Sequence, residues 1–449
     1  MQKNNRLSTF QEPNHKRLLL RLSLPAMIGL LVNSLYTMVD MLFVGNAVGP
    51  MGIAALGLSM PVYLIITGIA LMIGVGGASL VSRQLGAHQS DEVGKTVFTS
   101  LVGIVAMTVI LSAVGLFWFS TVARTLGATA DTAPFLGDYL GTLLWGAPFI
   151  ASATVLNALL RAEGQAKKAM LANLIGNGLN ILLDALFILS FRWGVSGAAL
   201  ATIIGQSAAA VFSLSMILSK RSAIMLRQEN CVFSLNRLGR ITTLGSATLI
   251  RQLGTSVVTI VVNQSLSRYG GTLAIASYGI TGTLLMFLNM PNSGIVQGFQ
   301  PIAGYHHGAK HMQTVYSILK LTLLTTILLG TLLYLPVVLF TGGMLRLFTA
   351  DTTLMTRAIP AARIILIGLP LLGVQSVGTV YFQSTGRALP AISLWIVRQF
   401  VLVIPLIMLF GSLFGTIGIY VAFPLADALS AALIGTLALR SSVALARSV

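Results

Sequence analysis

The chain has 449 residues, of which 55% are hydrophobic and 9% are charged. Soluble domains carry roughly 25% charged residues, so this composition excludes an ordinary soluble globular protein. The formal net charge of +17 does not indicate a nucleic-acid partner, because most Lys and Arg residues stand in short connections between apolar runs. There they set membrane topology. The single cysteine, Cys231, excludes an internal disulfide and a cysteine-based metal cluster, and we expect no cofactor.

Twelve apolar segments follow one another along the chain, each long enough for a helix that crosses a bilayer. The first segment is too long for the core of a signal peptide, so we expect it to be retained. The sequence therefore predicts an all-α polytopic membrane protein. The predicted spans are residues 18–44, 53–83, 95–123, 135–161, 168–190, 195–219, 240–266, 275–304, 316–341, 355–384, 389–410 and 416–438.

The second half of the chain repeats the first. The matching pairs are Gly86 and Gly308, Pro148 and Pro370, and Gly164 and Gly386 at an offset of 222 residues, then Gly194 and Gly415 at 221. Each half holds six spans, an even number, so both halves have the same orientation in the membrane. We predict two pseudo-symmetric six-helix lobes, residues 1–219 and 240–449, with a central cleft. A basic cytoplasmic linker at residues 220–239 joins them.

The distribution of basic residues predicts the topology. Even-numbered connections and the two termini carry about twenty Lys and Arg, whereas odd-numbered connections carry about six. This asymmetry predicts that both termini are cytoplasmic. Two parallel lobes around a cleft suit alternating access by rocking around a site near the middle of the membrane. A channel would more often show a pore-lining filter loop, and no stretch resembles one.

Three acidic residues fall inside predicted spans, namely Asp40, Asp184 and Asp427. A carboxylate in lipid costs about 3 kcal/mol or more, so it normally faces the interior of the bundle or water and marks a functional site. Asp40 and Asp184 both lie near the outer ends of their spans, so their depths match. Asp427 stands alone after Pro424, and for it we favour a structural role, such as pairing with an arginine or capping a broken helix.

Polar residues accompany the first two carboxylates at helical spacing. Asn173, Asn177 and Asn180 share a face with Asp184; Asn33, Tyr36 and Thr37 share a face with Asp40; and Thr202 and Gln206 share a face of span 6. Asp40, Asn180, Asp184 and Thr202 can offer several oxygens at one level, which suits a small hard cation such as Na⁺. Two close carboxylates also favour a bound proton, so both uses remain open.

The second half has no acidic residue at the positions paired with Asp40 and Asp184. It carries Arg251 and Arg398 instead, and arginine inside a membrane is as costly as aspartate. Either arginine can cap carbonyls or snorkel to an interface. Arg398 is harder to explain in that way, so we add it to the residues expected to line a substrate cavity, with Asn33, Tyr36, Thr37, Asn177 and Gln206.

Pro25 lies in the first span, upstream of Asp40. A proline inside a helix removes a backbone hydrogen bond and can kink it. We therefore treat Pro25 as a candidate hinge whose bend responds to protonation of Asp40.

The chain as a whole resembles the multidrug and toxic compound extrusion (MATE) transporters, in particular the prokaryotic branch that includes DinF-like and MepA-like exporters. The resemblance rests on the two six-span halves, on Pro25 and Asp40, and on the Asn180–Asp184 pair. The segments at residues 158–164 (ALLRAEG) and 382–387 (FQSTGR) also resemble the loops of that family.

The resemblance implies export of amphiphilic, often cationic compounds in exchange for H⁺ or Na⁺ by a monomer in the inner membrane of a prokaryote. In similar proteins the cation site matches Asp40, Asn180, Asp184 and Thr202. Relatives often have a proline where this chain has Ala185, which predicts a straighter helix here. The acidic residues that the NorM branch carries in spans 7, 8 or 10 are absent.

Two other functions are compatible with parts of the sequence. A flippase or exporter of lipid-linked or anionic amphiphiles in the same superfamily would use arginines in its cavity, and Arg251 and Arg398 keep that alternative open. A membrane enzyme would need a nucleophile, a base or a metal cluster at membrane depth, so we expect no enzymatic activity. The expected partners are therefore small amphiphilic molecules and the lipid bilayer.

Overall fold

The computed structural model describes residues 7–219, 222–224, 226, 228–346 and 351–447. Every regular element within these residues is a helix, as the composition predicted. The α-helices are α1 (His15–Ala47), α2 (Pro50–Gly86), α3 (Ser90–Phe117), α4 (Phe119–Thr125), α5 (Ala133–Ala162), α6 (Ala166–Asp184), α7 (Gly194–Leu218), α8 (Leu235–Gly308), α9 (Met312–Arg346), α10 (Thr352–Ile365), α11 (Leu369–Ser384), α12 (Ala388–Ile396) and α13 (Ile404–Arg447). Short 3₁₀ turns span Ser8–Gln11, Gln228–Asn230 and Leu366–Gly368, and π-helical segments span Ala185–Ser190 and Val397–Val403.

Ten helical stretches in the described part of the chain are long and apolar enough to cross a membrane. Two of them contain a glycine with a non-helical backbone: Gly271 in α8 has φ 67° and Gly415 in α13 has φ 61°. A positive φ is free of steric cost only for glycine, so each of these residues breaks its helix in two. The ten stretches thus divide into the twelve spans that the sequence predicted.

The fold consists of two compact units. The first comprises Met1–Gln11 and Leu24–Leu249, and the second comprises Glu12–Ser23 and Ile250–Val449. In the first unit α5 packs against α2, α3 and α7, and α6 packs against α7. In the second unit α11 packs against α9, α12 and α13. The lobe boundaries at residues 219 and 240 stay a prediction, and Lys220, Arg221 and Arg227 of the predicted linker lie outside the described residues.

Two glycines allow α2 and the start of α8 to make backbone contact within the first unit. A Cβ atom on Gly76 would meet the carbonyl oxygen of Ile241, and a Cβ atom on Gly245 would meet that of Met72. Small residues permit this approach between membrane helices. These contacts join the first part of α8 to the bundle that contains the carboxylates.

A buried carboxylate at the end of α5 holds the chain that follows α7. Oε2 of Glu163 accepts hydrogen bonds from Oγ of Ser222 at 2.7 Å, from the backbone N–H of Ala223 at 2.9 Å and from that of Ile224 at 3.3 Å. Its other oxygen accepts from the side chain of Gln165. Burial raises the pKa of Glu163 from 4.5 to about 7, and the bonds from Ser222, Ile224 and Ala223 oppose this shift.

The raised pKa of Glu163 predicts a pH-dependent stability. Because the folded protein holds this proton more tightly than the unfolded chain does, the stabilisation is complete below pH 4.5 and is lost as the pH rises through about 7. We expect the melting temperature of the wild type, measured against that of Glu163→Gln, to fall across this window. In free energy of unfolding, the stabilisation lost across this window amounts to up to about 3 kcal/mol. Glu229→Gln, which changes an exposed glutamate of the same region, should show no such trend.

Candidate functional site

Three helices of the first unit bring the four predicted cation-coupling residues together. Asp40 lies in α1, Asn180 and Asp184 lie in α6, and Thr202 lies in α7. Their exposed fractions are 7%, 2%, 0% and 6%, so all four are buried. Asn180 and Asp184 share a face of α6 because they are four residues apart, and the close packing of α6 on α7 places Thr202 beside them. We call these four residues the carboxylate cluster.

The side-chain amide of Asn180 connects the two helices. With the amide oriented to satisfy its neighbours, its nitrogen donates to Oδ2 of Asp184 at 3.2 Å. Its oxygen then accepts from Oγ1 of Thr202 at 3.3 Å and from the backbone N–H of Thr202 at 3.1 Å. Asn180 therefore fixes one oxygen of Asp184 and leaves the other open.

The two carboxylates act on each other. Asp40 is near enough to Asp184 to interact with it electrostatically. Oδ1 of Asp40 and Oδ1 of Asp184 are both buried, and neither has a hydrogen-bond partner among the described residues. A buried unpaired carboxylate oxygen is costly, and a bound proton or metal cation would remove that cost. The donor set of carboxylate, amide and hydroxyl oxygens fits Na⁺, a hard cation.

Two tyrosines without a signal in the sequence, Tyr63 and Tyr139, join Tyr36 near the carboxylate cluster. Tyr139 of α5 interacts electrostatically with Asp40, with Asp184 and with Tyr63. Tyr63 of α2 shares a hydrogen bond with Tyr36, which is 7% exposed. The phenol groups place polar, uncharged oxygens beside the carboxylates. Only the Tyr36–Asp40 spacing in α1 gave a signal for this group in the sequence.

The other residues predicted to line a substrate cavity fall into two groups. Asn177 is buried, and its Nδ2 atom has no acceptor among the described residues. Gln206 is half-buried. Asn33 and Thr37 are exposed, and the Thr37 hydroxyl donates to the backbone carbonyl of Asn33 at 3.0 Å. Their role in substrate binding stays a prediction.

Pro25 is buried inside α1. It is the second residue of the segment Leu24–Leu249, which belongs to the first unit. Its role as a hinge stays a prediction. Downstream of the carboxylate cluster, α-helical geometry ends at Asp184 and the π-helical segment Ala185–Ser190 follows. The helix therefore departs from regular α geometry at Ala185 even though no proline stands there. π-Helical turns occur frequently at functional sites.

The second unit contains an ion pair. Arg398 forms a salt bridge with Asp427, in which Nη2 and Oδ1 are 2.6 Å apart. This is the pairing with an arginine that we considered for Asp427. Arg251, the other predicted intramembrane arginine, is exposed. Within the described residues, no group of three or more His, Cys, Asp or Glu side chains is placed to hold a metal ion.

Known proteins are similar in sequence to almost the whole chain. Multidrug export protein MepA of Staphylococcus aureus (strain MRSA252) is 27% identical over 96% of this chain and 94% of its own. The MepA protein of Staphylococcus saprophyticus is 28% identical with the same coverage.

A solved structure has the same fold. It is the outward-facing conformation of a multidrug resistance MATE family transporter of the MOP superfamily, which superposes with a TM-score of 0.92 at 25% identity and covers 98% of both chains.

The family model MatE matches residues 25–186 and 247–409. These two segments cover more than half of the chain and begin 222 residues apart, which is the offset of the repeated glycines and prolines. Members of this family are membrane transporters and not enzymes. The chain therefore belongs to the MatE family and is a multi-pass membrane transporter.

Proposed function

We propose that this protein is a secondary active multidrug efflux antiporter that exports amphiphilic, often cationic compounds in exchange for H⁺ or Na⁺. The carboxylate cluster carries the proposal. Asp40 and Asp184 are buried, interact with each other and each keep one oxygen without a partner. A cation that binds there removes the repulsion between the carboxylates, and its release restores it. The MepA relatives, which are named multidrug export proteins, support the export of drugs.

Each residue of the carboxylate cluster has a role in this proposal. Asp40 and Asp184 bind the coupling ion, Asn180 holds Asp184 in place, and Thr202 fixes the amide of Asn180. Rocking of two lobes around a central cleft, with a bend at Pro25, then exposes the site to each side of the membrane in turn. We place the protein in the inner membrane as a monomer, with both termini in the cytoplasm.

The alternative, an exporter of lipid-linked or anionic amphiphiles, is less well supported. Such a transporter needs free cationic side chains to hold its substrate. Arg398 donates to Asp427 from two of its nitrogens, so its charge is already compensated. The remaining candidate, Arg251, provides only one cation.

Everted membrane vesicles provide the test. We impose a gradient in which the coupling ion is more concentrated inside the vesicles than outside. We then expect vesicles that contain the protein to accumulate the cationic dye ethidium. Dissipating the pH gradient with nigericin should abolish this uptake if H⁺ is the coupling ion. Removing Na⁺ should abolish it if Na⁺ is. Uptake that persists after both treatments would contradict antiport.

A further inference from the structure

The ion pair of the second unit is more than a single contact. Oδ1 of Asp427 accepts from Nε of Arg398 at 3.0 Å, from Nη2 of Arg398 at 2.6 Å and from Nε2 of Gln375 at 3.1 Å. Gln375 also donates to the backbone carbonyl of Asp427 at 3.3 Å. One carboxylate oxygen thus receives three donors.

Irregular helix geometry occurs close to this ion pair. Arg398 lies in the π-helical segment Val397–Val403, and Asp427 follows Pro424 in α13. Gly368 ends the 3₁₀ turn between α10 and α11, and a Cβ atom on it would collide with the carboxylate of Asp427. π-Bulges occur often at functional sites, and a proline weakens the helix that contains it. The absence of a side chain at Gly368 therefore leaves room for the carboxylate that the guanidinium binds.

The side chains of Arg398 and Asp427 differ in their exposure. The side chain of Arg398 is 15% exposed and that of Asp427 is 5% exposed. The guanidinium is therefore the more exposed of the two charged groups. Two half-buried aromatic residues, Tyr278 and Phe423, pack against a core cluster that contains Ala426, the neighbour of Asp427. Tyr278 interacts electrostatically with Arg398, and its ring stacks on that of Phe423 at 5.7 Å. Phe423 lies one helical turn before Asp427 in α13.

We propose that Arg398, Tyr278 and Phe423 form a subsite for anionic amphiphiles, which Asp427 masks. The guanidinium matches a carboxylate or sulfonate group, and the aromatic pair matches an apolar body. Asp427 occupies the guanidinium as an internal counter-ion, so an anionic compound must displace a partner that is already bound. Asp427 is thus a specificity-determining residue, which makes the second unit accept neutral or cationic compounds and reject anions. The inference deepens the proposed export function and rests on it for its biological meaning.

The test compares two xanthene dyes of similar size, the dianion fluorescein and the cation rhodamine 6G. Binding to purified full-length protein in detergent is measured by fluorescence anisotropy. Asp427→Asn removes the counter-ion and keeps the shape of the side chain. We expect it to bind fluorescein about tenfold more tightly than the wild type does, because a free guanidinium replaces a paired one. We expect the affinity for rhodamine 6G to stay the same or to fall.

Two further variants keep the inference open to refutation. The double variant Arg398→Gln with Asp427→Asn has no cation to unmask, so the gain for fluorescein should disappear. Gly368→Ala, which pushes the carboxylate away from its present position, should give a smaller gain in the same direction, and it replaces Asp427→Asn if that variant does not fold. Unchanged fluorescein binding in the folded variant, or a gain that survives in the double variant, would overturn the inference.

Binding and export are measured separately. If vesicles accumulate no cationic dye but Asp427→Asn gains affinity for fluorescein, the export function fails and the masked subsite stands. If vesicles accumulate the dye and fluorescein binding does not change, the subsite fails and the export function stands.

Discussion

Asp184→Asn is expected to abolish ion-driven export while the protein still inserts and folds. Asparagine has nearly the shape of aspartate but carries no charge, so the variant can bind neither a proton nor Na⁺ with the strength of a carboxylate. Asp184 is 0% exposed, and its Oδ1 atom lacks a partner among the described residues. Removing its charge therefore removes a cost of folding, and we expect a melting temperature at least as high as that of the wild type.

The measurement is the initial rate of ethidium accumulation in everted vesicles, at equal amounts of inserted protein. We expect the initial rate to fall about a hundredfold, which corresponds to about 2.7 kcal/mol of activation free energy. Asp40→Asn should have the same effect, since Asp40 interacts electrostatically with Asp184 in the same cluster. Asp138→Asn is the matched control, because Asp138 is an exposed aspartate of the same unit. Normal transport by Asp184→Asn would refute the role of the carboxylate cluster.

Gly76→Ala is expected to destabilise the first unit strongly. Its new Cβ atom would collide with the backbone carbonyl of Ile241, and a backbone atom cannot move aside by changing rotamer. Overpacking of this kind costs typically about 1–3 kcal/mol, and we expect the upper end of that range because the contact is with backbone. Gly245→Ala should do the same from the opposite helix, through the carbonyl of Met72. Thermal unfolding in detergent measures both effects.

Gly57→Ala is the control for this prediction. Gly57 lies in α2 like Gly76, but a Cβ atom on it would meet nothing within 4 Å. Alanine favours a helix over glycine by up to about 1 kcal/mol, so this variant should be as stable as the wild type or slightly more stable. Equal melting temperatures for Gly76→Ala and Gly57→Ala would show that the contact between α2 and α8 does not limit stability.

The spans and the core of the site could be predicted from the sequence because their signals are local. An apolar run reports a membrane helix directly, and the spacing of Asn180 and Asp184 fixes their common face. Asp40 and Thr202 were placed beside them by depth alone, since both lie near the same end of their spans. The cost of a charge in lipid then indicated which of the polar residues to select.

Most features of the site that the sequence did not predict depend on packing between segments that are distant in the chain. Tyr63 and Tyr139 carry no sequence signal, because tyrosine is common in membrane helices and only the fold brings these two near Asp40. Arg398 and Asp427 are 29 residues apart, and neither their spacing nor their neighbours specify the pair. The π-helical segment at Ala185–Ser190 was likewise not predicted, because its residues are ordinary helix formers.

The single thiol of the chain has a practical consequence. Cys231 is exposed and lies in the predicted linker. Near the start of this linker, Ser222 donates a hydrogen bond to Glu163. A maleimide fluorophore or a nitroxide would therefore attach at one defined position of the wild-type protein, without prior removal of other cysteines. A spectroscopic reporter can thus follow this region in the unmodified transporter, and every variant described above retains the same labelling position.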